Sequence, residues 1–206
     1  MKLASSTALS ALLVFAIACG GSAPPVRLTE DWPASVGDYD DVTEQWTRKT
    51  TLRGTYQETL ELAATFKAPE WRAAHAVKDA EARGLVGDAR AQRLGQARSE
   101  IAGPYEFELM VTTWDRREND LDRGKKSVWR IRLLDDQGRE IEPLEIIKDK
   151  RPAVTVRAEF PAHGDFSTPY IVRFARTAAL LGPSAKQIRL RMSGERGGVE
   201  LVWQSP

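Results

Sequence analysis

His163-Gly164-Asp165-Phe166-Ser167, just after Pro161, holds all three side-chain types of a Ser-His-Asp hydrolase within one short stretch. Such a triad moves the serine proton to the imidazole while the carboxylate orients the ring, so the three groups must line up through space. Triad members normally converge from distant segments. Three crowded into one loop read more simply as a polar turn. The densest polar loop runs from Trp114 to Gly124 and contains Asp115, Arg116, Arg117, Glu118, Asn119, Asp120, Asp122 and Arg123. Asp120, Asp122 and Gly124 supply part of what a calcium loop needs, several carboxylate oxygens around a glycine turn, but the EF-hand spacing is absent. Arg116, Arg117 and Arg123 would also repel a cation. Internal Arg–carboxylate pairing is the expectation there, and no metal ligand set or cofactor site is expected anywhere in the chain. His75 stands mid-helix between alanines and reads as a surface or partly buried histidine. No residue is expected to be catalytic.

Six arginines form a more extended pattern. Arg130, Arg132, Arg157, Arg173, Arg189 and Arg191 all fall out of phase with the apolar residues around them. If their strands share a sheet, several guanidinium groups line its outer face. The planar guanidinium fork matches phosphate and carboxylate, which would suit lipid A, an anionic lipid or peptidoglycan. Against this, Glu106, Glu108, Glu140, Glu159 and Glu200 point outward as well, and cross-strand Arg–Glu pairs would neutralise the face. Pairing is the stronger expectation.

The only cysteine is Cys19. Before it stand Met1-Lys2, a short basic start, and Leu9 to Ala18, an uncharged apolar run. That run is too short to cross a bilayer, which takes about 20 apolar residues. Its length and flanks are those of an export signal. Ala16-Ile17-Ala18-Cys19 resembles the lipobox of bacterial lipoproteins, although Leu is more usual where Ala16 stands. The resemblance is confined to the leader. It implies cleavage between Ala18 and Cys19 and acylation of the Cys19 thiol, with the acyl chains as membrane anchor. Stable anchoring takes two lipid signals, each buried methylene contributing about 0.8 kcal/mol, and a diacylated cysteine meets that need. Gly20 follows the cysteine where inner-membrane lipoproteins of the enteric type carry Asp, so the outer membrane, facing the periplasm, is favoured. With a single cysteine, the exported domain must hold its core without a disulfide.

The expected organisation is a signal peptide over 1–18, a lipidated N-terminus and flexible tether over 19–41, and one domain over 42–206. The tether reading rests on Gly-Gly-Ser-Ala-Pro-Pro and the lack of any sustained period. From Thr59 onward, period-two alternation dominates. It appears around Leu60–Phe66, Tyr105–Thr112, Trp129–Leu133, Arg139–Ile147, Val154–Phe160, Tyr170–Phe174, Ile188–Met192 and Val199–Trp203. Pro143 must bend its strand or place it at an edge. The Asp135-Asp136-Gln137-Gly138 and Gly194–Gly198 segments have turn chemistry. About eight short strands, each with one apolar face, predict two antiparallel sheets packed as an immunoglobulin-like β-sandwich. One stretch departs from this. Residues 69–102 are rich in Ala, Arg and Glu, with Pro69 suited to a first helical turn and Asp88 placed to cap a second helix after the Gly84–Gly87 break. A helical hairpin inserted between two strands is expected.

Composition narrows the function classes. Apolar residues make up 42% and charged residues 29% of the chain, which is the balance of a folded globular domain. The leader removes Lys2 and no acid, leaving equal numbers of basic and acidic side chains, so a nucleic-acid partner is not expected. The leading expectation is a non-catalytic, membrane-anchored envelope lipoprotein that binds another envelope protein or polymer, with the hairpin as a docking element. The alternatives are a small cell-envelope hydrolase, using His163, Asp165 and Ser167 or the Asp115–Asp122 carboxylates, and a ligand-binding lipoprotein that hands a solute to a transporter.

Overall fold

A computed structural model describes residues 23–54, 58–176 and 179–206. Cys19, Ala18 and the leader lie outside the described residues. The described residues fold into nine strands in two antiparallel sheets, with helices on one side. In order, the elements are α1 (Tyr39–Trp46), β1 (Thr47–Arg53), β2 (Glu58–Phe66), α2 (Pro69–Ala82), α3 (Gly87–Ser99), β3 (Tyr105–Thr113), β4 (Trp129–Leu134), β5 (Glu140–Ile141), β6 (Pro143–Lys148), α4 (Ala153–Glu159), β7 (Thr168–Phe174), β8 (Gln187–Gly194) and β9 (Gly197–Gln204). The first sheet runs β1-β2-β3-β7-β6 and the second β5-β4-β8-β9.

The alternating residues meet between the sheets. Leu60, Leu62, Phe66, Phe107, Leu109 and Val111 from the first sheet share one buried cluster with Ile131, Leu133, Leu190, Met192 and Trp203 from the second. At its centre Phe107 stacks on Phe66 at 4.5 Å and meets Trp203 edge-on at 5.3 Å. Burial of such rings, with the edge-to-face preference of aromatic pairs, dominates a core of this kind. Trp203 Nε1 donates to the carbonyl of Trp46, 2.8 Å away, which ties β9 to the end of α1.

Several sequence expectations hold. The hairpin α2–α3 interrupts the sheet between β2 and β3, and Pro69 opens α2. Pro143 does more than bend its strand. The chain leaves the second sheet after Ile141 and enters the first at Pro143, as edge strand β6. Gly138 closes its turn with φ at 78°, while Asp135 Oδ1 accepts from the Gln137 and Arg139 amides. Gly194 is required by space, since a Cβ there would stand 2.6 Å from the Val128 carbonyl.

Three expectations are corrected. Val154–Phe160 is not a strand but helix α4 and its C-cap. The alternation there also contains an i, i+4 pair, Val156 and Phe160, and those two residues are buried while Val154 is 77% exposed. A short apolar run does not by itself separate the two periods, and Pro152 just before it presets the helical entry. Arg157 consequently rides on a helix. The second helix of the hairpin starts at Gly87 with Val86 at its N-cap, so Asp88 lies inside the first turn and caps nothing. The 19–41 tether is also shorter than expected. Val26 and Leu28 are buried, Val26 N donates to the Gln204 carbonyl at 2.8 Å, and Tyr39–Asp41 already belong to α1. Arg48 holds this segment down. Its guanidinium is buried and donates to the carbonyls of Pro24, Gln45, Thr47 and Val202, with no carboxylate. Burial lowers its pKa to about 10, which still leaves it charged at neutral pH.

The helices form a third layer on the outer face of the first sheet. Trp71 of α2 stacks on Phe160 at 5.5 Å and donates to Thr43 Oγ1 of α1. Trp46 Nε1 donates to Glu70 Oε2. This explains why β3 is buried on both faces. The cover reaches only part of the sheet.

Candidate functional site

Where the helical cover stops, the outer face and one end of the first sheet form an open cleft of about 930 Å³. The ends that build it are the start of β2 (Glu58, Glu61), the end of β3 with its following loop (Thr112, Trp114, Arg116), the end of β6 (Lys148) and the loop entering β7 (Asp165, Phe166, Ser167). Glu61, Thr112 and Ser167 also line a second depression of about 350 Å³, which continues over Lys49, Ala63 and Met110 beneath the 162–167 loop. Together they make one groove. Strand register explains its floor, because Thr51, Glu61 and Thr112 stand opposite one another across β1, β2 and β3.

Two aromatic side chains stand in this cleft unburied: Trp114 is 69% and Phe166 73% exposed. The Arg116 guanidinium lies 5.8 Å from the Phe166 ring. Most charges around the cleft are already paired. Asp165 takes Arg157 at 2.7 Å, Lys148 takes Asp122 at 3.2 Å, and Glu58 takes Arg53 at 3.3 Å. Glu61 has no cation partner among the described residues. Its pKa is raised by partial desolvation and by the neighbouring Glu58 carboxylate. Asn119 is spent on structure, donating to the Val111 carbonyl while its side-chain oxygen accepts from the Tyr170 hydroxyl. Sequence reasoning missed Trp114 and Glu61 as site residues. An exposed tryptophan in the densest polar loop was the available signal.

No family model matches this chain, and no curated protein or solved structure matches it either. What the cleft does must therefore be argued from its own chemistry.

His163, Asp165 and Ser167 are not assembled as a triad. His163 is buried and its Nδ1 has no hydrogen-bond partner, Asp165 faces Arg157, and Ser167 Oγ donates to the Gly164 carbonyl at 3.0 Å. The stretch is a polar turn whose outer residues line the cleft. The Asp115–Asp122 carboxylates are likewise dispersed. Asp115 Oδ1 accepts from the Arg117 amide, Asp120 is buried and accepts from Ser127 Oγ and the Val128 amide, and Asp122 meets Lys148. Among the described residues no three His, Cys, Asp or Glu side chains converge as metal ligands. His75 is half-buried, stacked on Trp71 at 5.0 Å, with Nε2 3.8 Å from a Glu159 oxygen.

The six arginines do not form one face. Arg130, Arg132, Arg189 and Arg191 share the outer face of the second sheet, with Arg132 opposite Arg191. Arg173 lies on the other sheet and Arg157 on α4. The acids answer them. Arg132 meets Glu140 and Glu142, Arg191 meets Glu200 and Glu140, and Arg189 lies 3.6 Å from Glu200. Arg173 is held between Glu106 and Glu145. Arg130 spends its donors on the carbonyls of Lys125, Ser127 and Trp129. Cross-strand neutralisation prevails on this surface.

A second polar cluster is sealed beneath the helices. Lys67 Nζ lies 2.8 Å from Glu106 and 2.9 Å from Glu108, under the rings of Trp71 and Phe160. Glu106 also takes Arg173 at 2.6 Å. Burial works against its charge, but the two cations outweigh burial and hold its pKa at about 2. Glu108 is fully buried. Lys67 Nζ lies 2.9 Å from one of its oxygens, and beyond this charge contact neither oxygen has a polar partner among the described residues. Burial, with some help from Asp149, pushes its pKa up to about 7 against the pull of Lys67. Farther along, Arg151 bridges Asp149 and Glu159 and so ties α4 to the turn that follows β6.

Proposed function

We propose that this chain is a bacterial envelope lipoprotein, exported by residues 1–18, acylated on Cys19, and acting as a non-catalytic binding module whose site is the cleft around Trp114 and Phe166. The cleft carries the reading. A concave surface with a few convergent polar groups is the ordinary form of a binding site, and two large rings left in water at its mouth are costly unless something covers them. The lipobox-like Ala16-Ile17-Ala18-Cys19 supports the anchor, and no helix among the described residues is long and apolar enough to cross a membrane. Gly20 favours the outer membrane, facing the periplasm.

An immunoglobulin-type scaffold belongs to this proposal. Two facing antiparallel sheets with a site built from loops at one end support it, while the opening β1–β2–β3 meander gives it no support. The hairpin is a weaker docking element than the cleft. The outer side of α3 carries Asp88, Ala89, Ala91, Gln92 and Gln96, with no stripe of large apolar residues.

The docked N-terminal segment bears on geometry at the membrane. Four residues separate Cys19 from Pro24, which Arg48 holds, and the five Cα–Cα steps span at most about 18 Å. The proposal therefore keeps the β1–β9 side of the domain close to the bilayer. Two measurements test the reading. Mass spectrometry of the mature N-terminus should find acyl mass on Cys19, and Cys19→Ser should leave the membrane fraction. A benzophenone amino acid in place of Asp165 should crosslink to an envelope component in living cells. Normal sedimentation of Cys19→Ser would sink the anchor, and an absence of crosslinks would sink the cleft.

A further inference from the structure

We propose that the occupant of the cleft is an uncharged saccharide chain, with Trp114 and Phe166 as stacking platforms and Glu61 as the principal hydrogen-bond acceptor. This deepens the binding-module reading and rests on it. The chemistry of the groove selects the class. A pyranose ring has an apolar C–H face and a rim of hydroxyls. It is matched by exposed aromatic faces beside short polar side chains, and the cleft combines these: Trp114 and Phe166 at one mouth, then Glu61 and Thr112 on the floor with Ser167 in the loop beside them.

Shape points the same way. The two depressions adjoin at three shared lining residues and together reach from the Trp114 end to the Lys49 and Ala162 end. A chain of sugars fits two adjoining depressions better than one compact solute.

Charge disfavours anionic polymers at the middle of the groove. Glu61 has no ion-pair partner among the described residues, Lys148 is engaged by Asp122, Arg116 lies over the Phe166 ring at the Trp114 end, and Lys49 stands at the other end. A phosphate-bearing or uronic chain would meet an unneutralised carboxylate where the two depressions join. Hydroxyl or amide donors of a neutral sugar would instead satisfy that carboxylate, in a charge-assisted bond of the stronger kind.

The test uses the full lipidated protein in detergent micelles, titrated calorimetrically with a hexamer of β-1,4-linked N-acetylglucosamine and, separately, with cellohexaose. Binding of at least one is expected, weakened ten-fold or more by Trp114→Ala and by Phe166→Ala, and several-fold by Glu61→Gln. Both rings are solvent-exposed, so the thermal midpoints of these variants should match the parent and report intact folding. Failure of both hexamers at millimolar concentration, or binding indifferent to both ring deletions, overturns the proposal. The benzophenone at position 165 keeps the two readings apart. A crosslinked protein without sugar binding removes the saccharide and leaves the binding module, whereas neither crosslink nor sugar binding removes both.

Discussion

The two sheets carry similar residues on their outer faces and use them differently. On the second sheet, Arg132, Arg189 and Arg191 meet Glu140, Glu142 and Glu200 in water, with side chains a quarter or more exposed. On the first sheet, Lys67 meets Glu106 and Glu108 beneath Trp71 and Phe160, and Glu108 has no exposure at all. Exposed pairs contribute about 0–1 kcal/mol, because water and salt screen them and ordering long side chains opposes them. Beneath the helices screening is lost, so the attraction and the desolvation cost both grow, and breaking a pair costs about 3–5 kcal/mol. Identical chemistry therefore latches the helical layer on one face and merely decorates the other.

Removing the shared cation should break the contrast most strongly. Lys67→Met leaves Glu106 with Arg173 alone and Glu108 with no cation in contact. At pH 8 we expect a loss of about 3 kcal/mol in urea unfolding. At pH 5 the loss should shrink, since Glu108 then carries its proton. A uniform loss at both pH values would mean that Lys67 acts through packing and not through charge.

Glu108→Gln sharpens the same point from the other partner. The folded-state pKa of Glu108 is raised to about 7, above the usual carboxyl value. Between about pH 4.5 and 7 the folded state therefore binds more protons than the unfolded one, and stability from this group falls as pH rises through that window. Glu106 and Glu159 act in the opposite sense. Burial disfavours their charge, yet cations and hydrogen bonds hold both near pKa 2. They contribute stability above the ordinary carboxyl value, and it is lost as pH falls toward 2. The parent should accordingly be most stable near pH 5. Glu108→Gln should remove that decline and raise stability at pH 8 by roughly 3 kcal/mol, at 1.36 kcal/mol for each pKa unit, while changing little at pH 4. A parent curve flat from pH 4.5 to 7 would show that Glu108 is not buried as described.

Much of the frame was legible in the sequence, for reasons visible in particular residues. Trp129–Leu133 and Ile188–Met192 alternate because one face of each strand is buried and the other is more open, which is the condition under which period two can be read. The signal failed where that condition failed. β3 has both faces covered, so Glu106 and Glu108 looked like solvent-facing acids although a helical layer lies over them. α4 imitated a strand because Val156 and Phe160 satisfy both periods. α1 was hidden among Asp38, Asp40 and Asp41, turn-like residues that in fact cap and charge its first turn. The cleft was legible only in parts. Phe166 and Asp165 were noticed as members of a polar turn, but their approach to Trp114 and Glu61 depends on β2, β3 and β7 ending together, and strand ends are long-range facts.

The smallest expected effect sits on the second sheet and has its own use. Arg191 Nε lies 2.6 Å from a Glu200 oxygen, directly across β8 and β9, in good geometry for a cross-strand pair. If geometry alone set the energy, this pair would rival Lys67 and Glu106. Exposure argues otherwise, and Glu200 also has Arg189 within 3.6 Å while Arg191 has Glu140 within 3.1 Å, so each partner keeps a counter-charge when the other is removed. A double-mutant cycle of Arg191→Ala and Glu200→Ala should give a coupling of a few tenths of a kcal/mol, shrinking further in molar salt as screening shortens to about 3 Å. The same cycle on Lys67→Met and Glu106→Gln should give a coupling several times larger and nearly indifferent to salt. Equal couplings on the two faces would show that the helical layer does not exclude water, and the distinction between latch and decoration would fall.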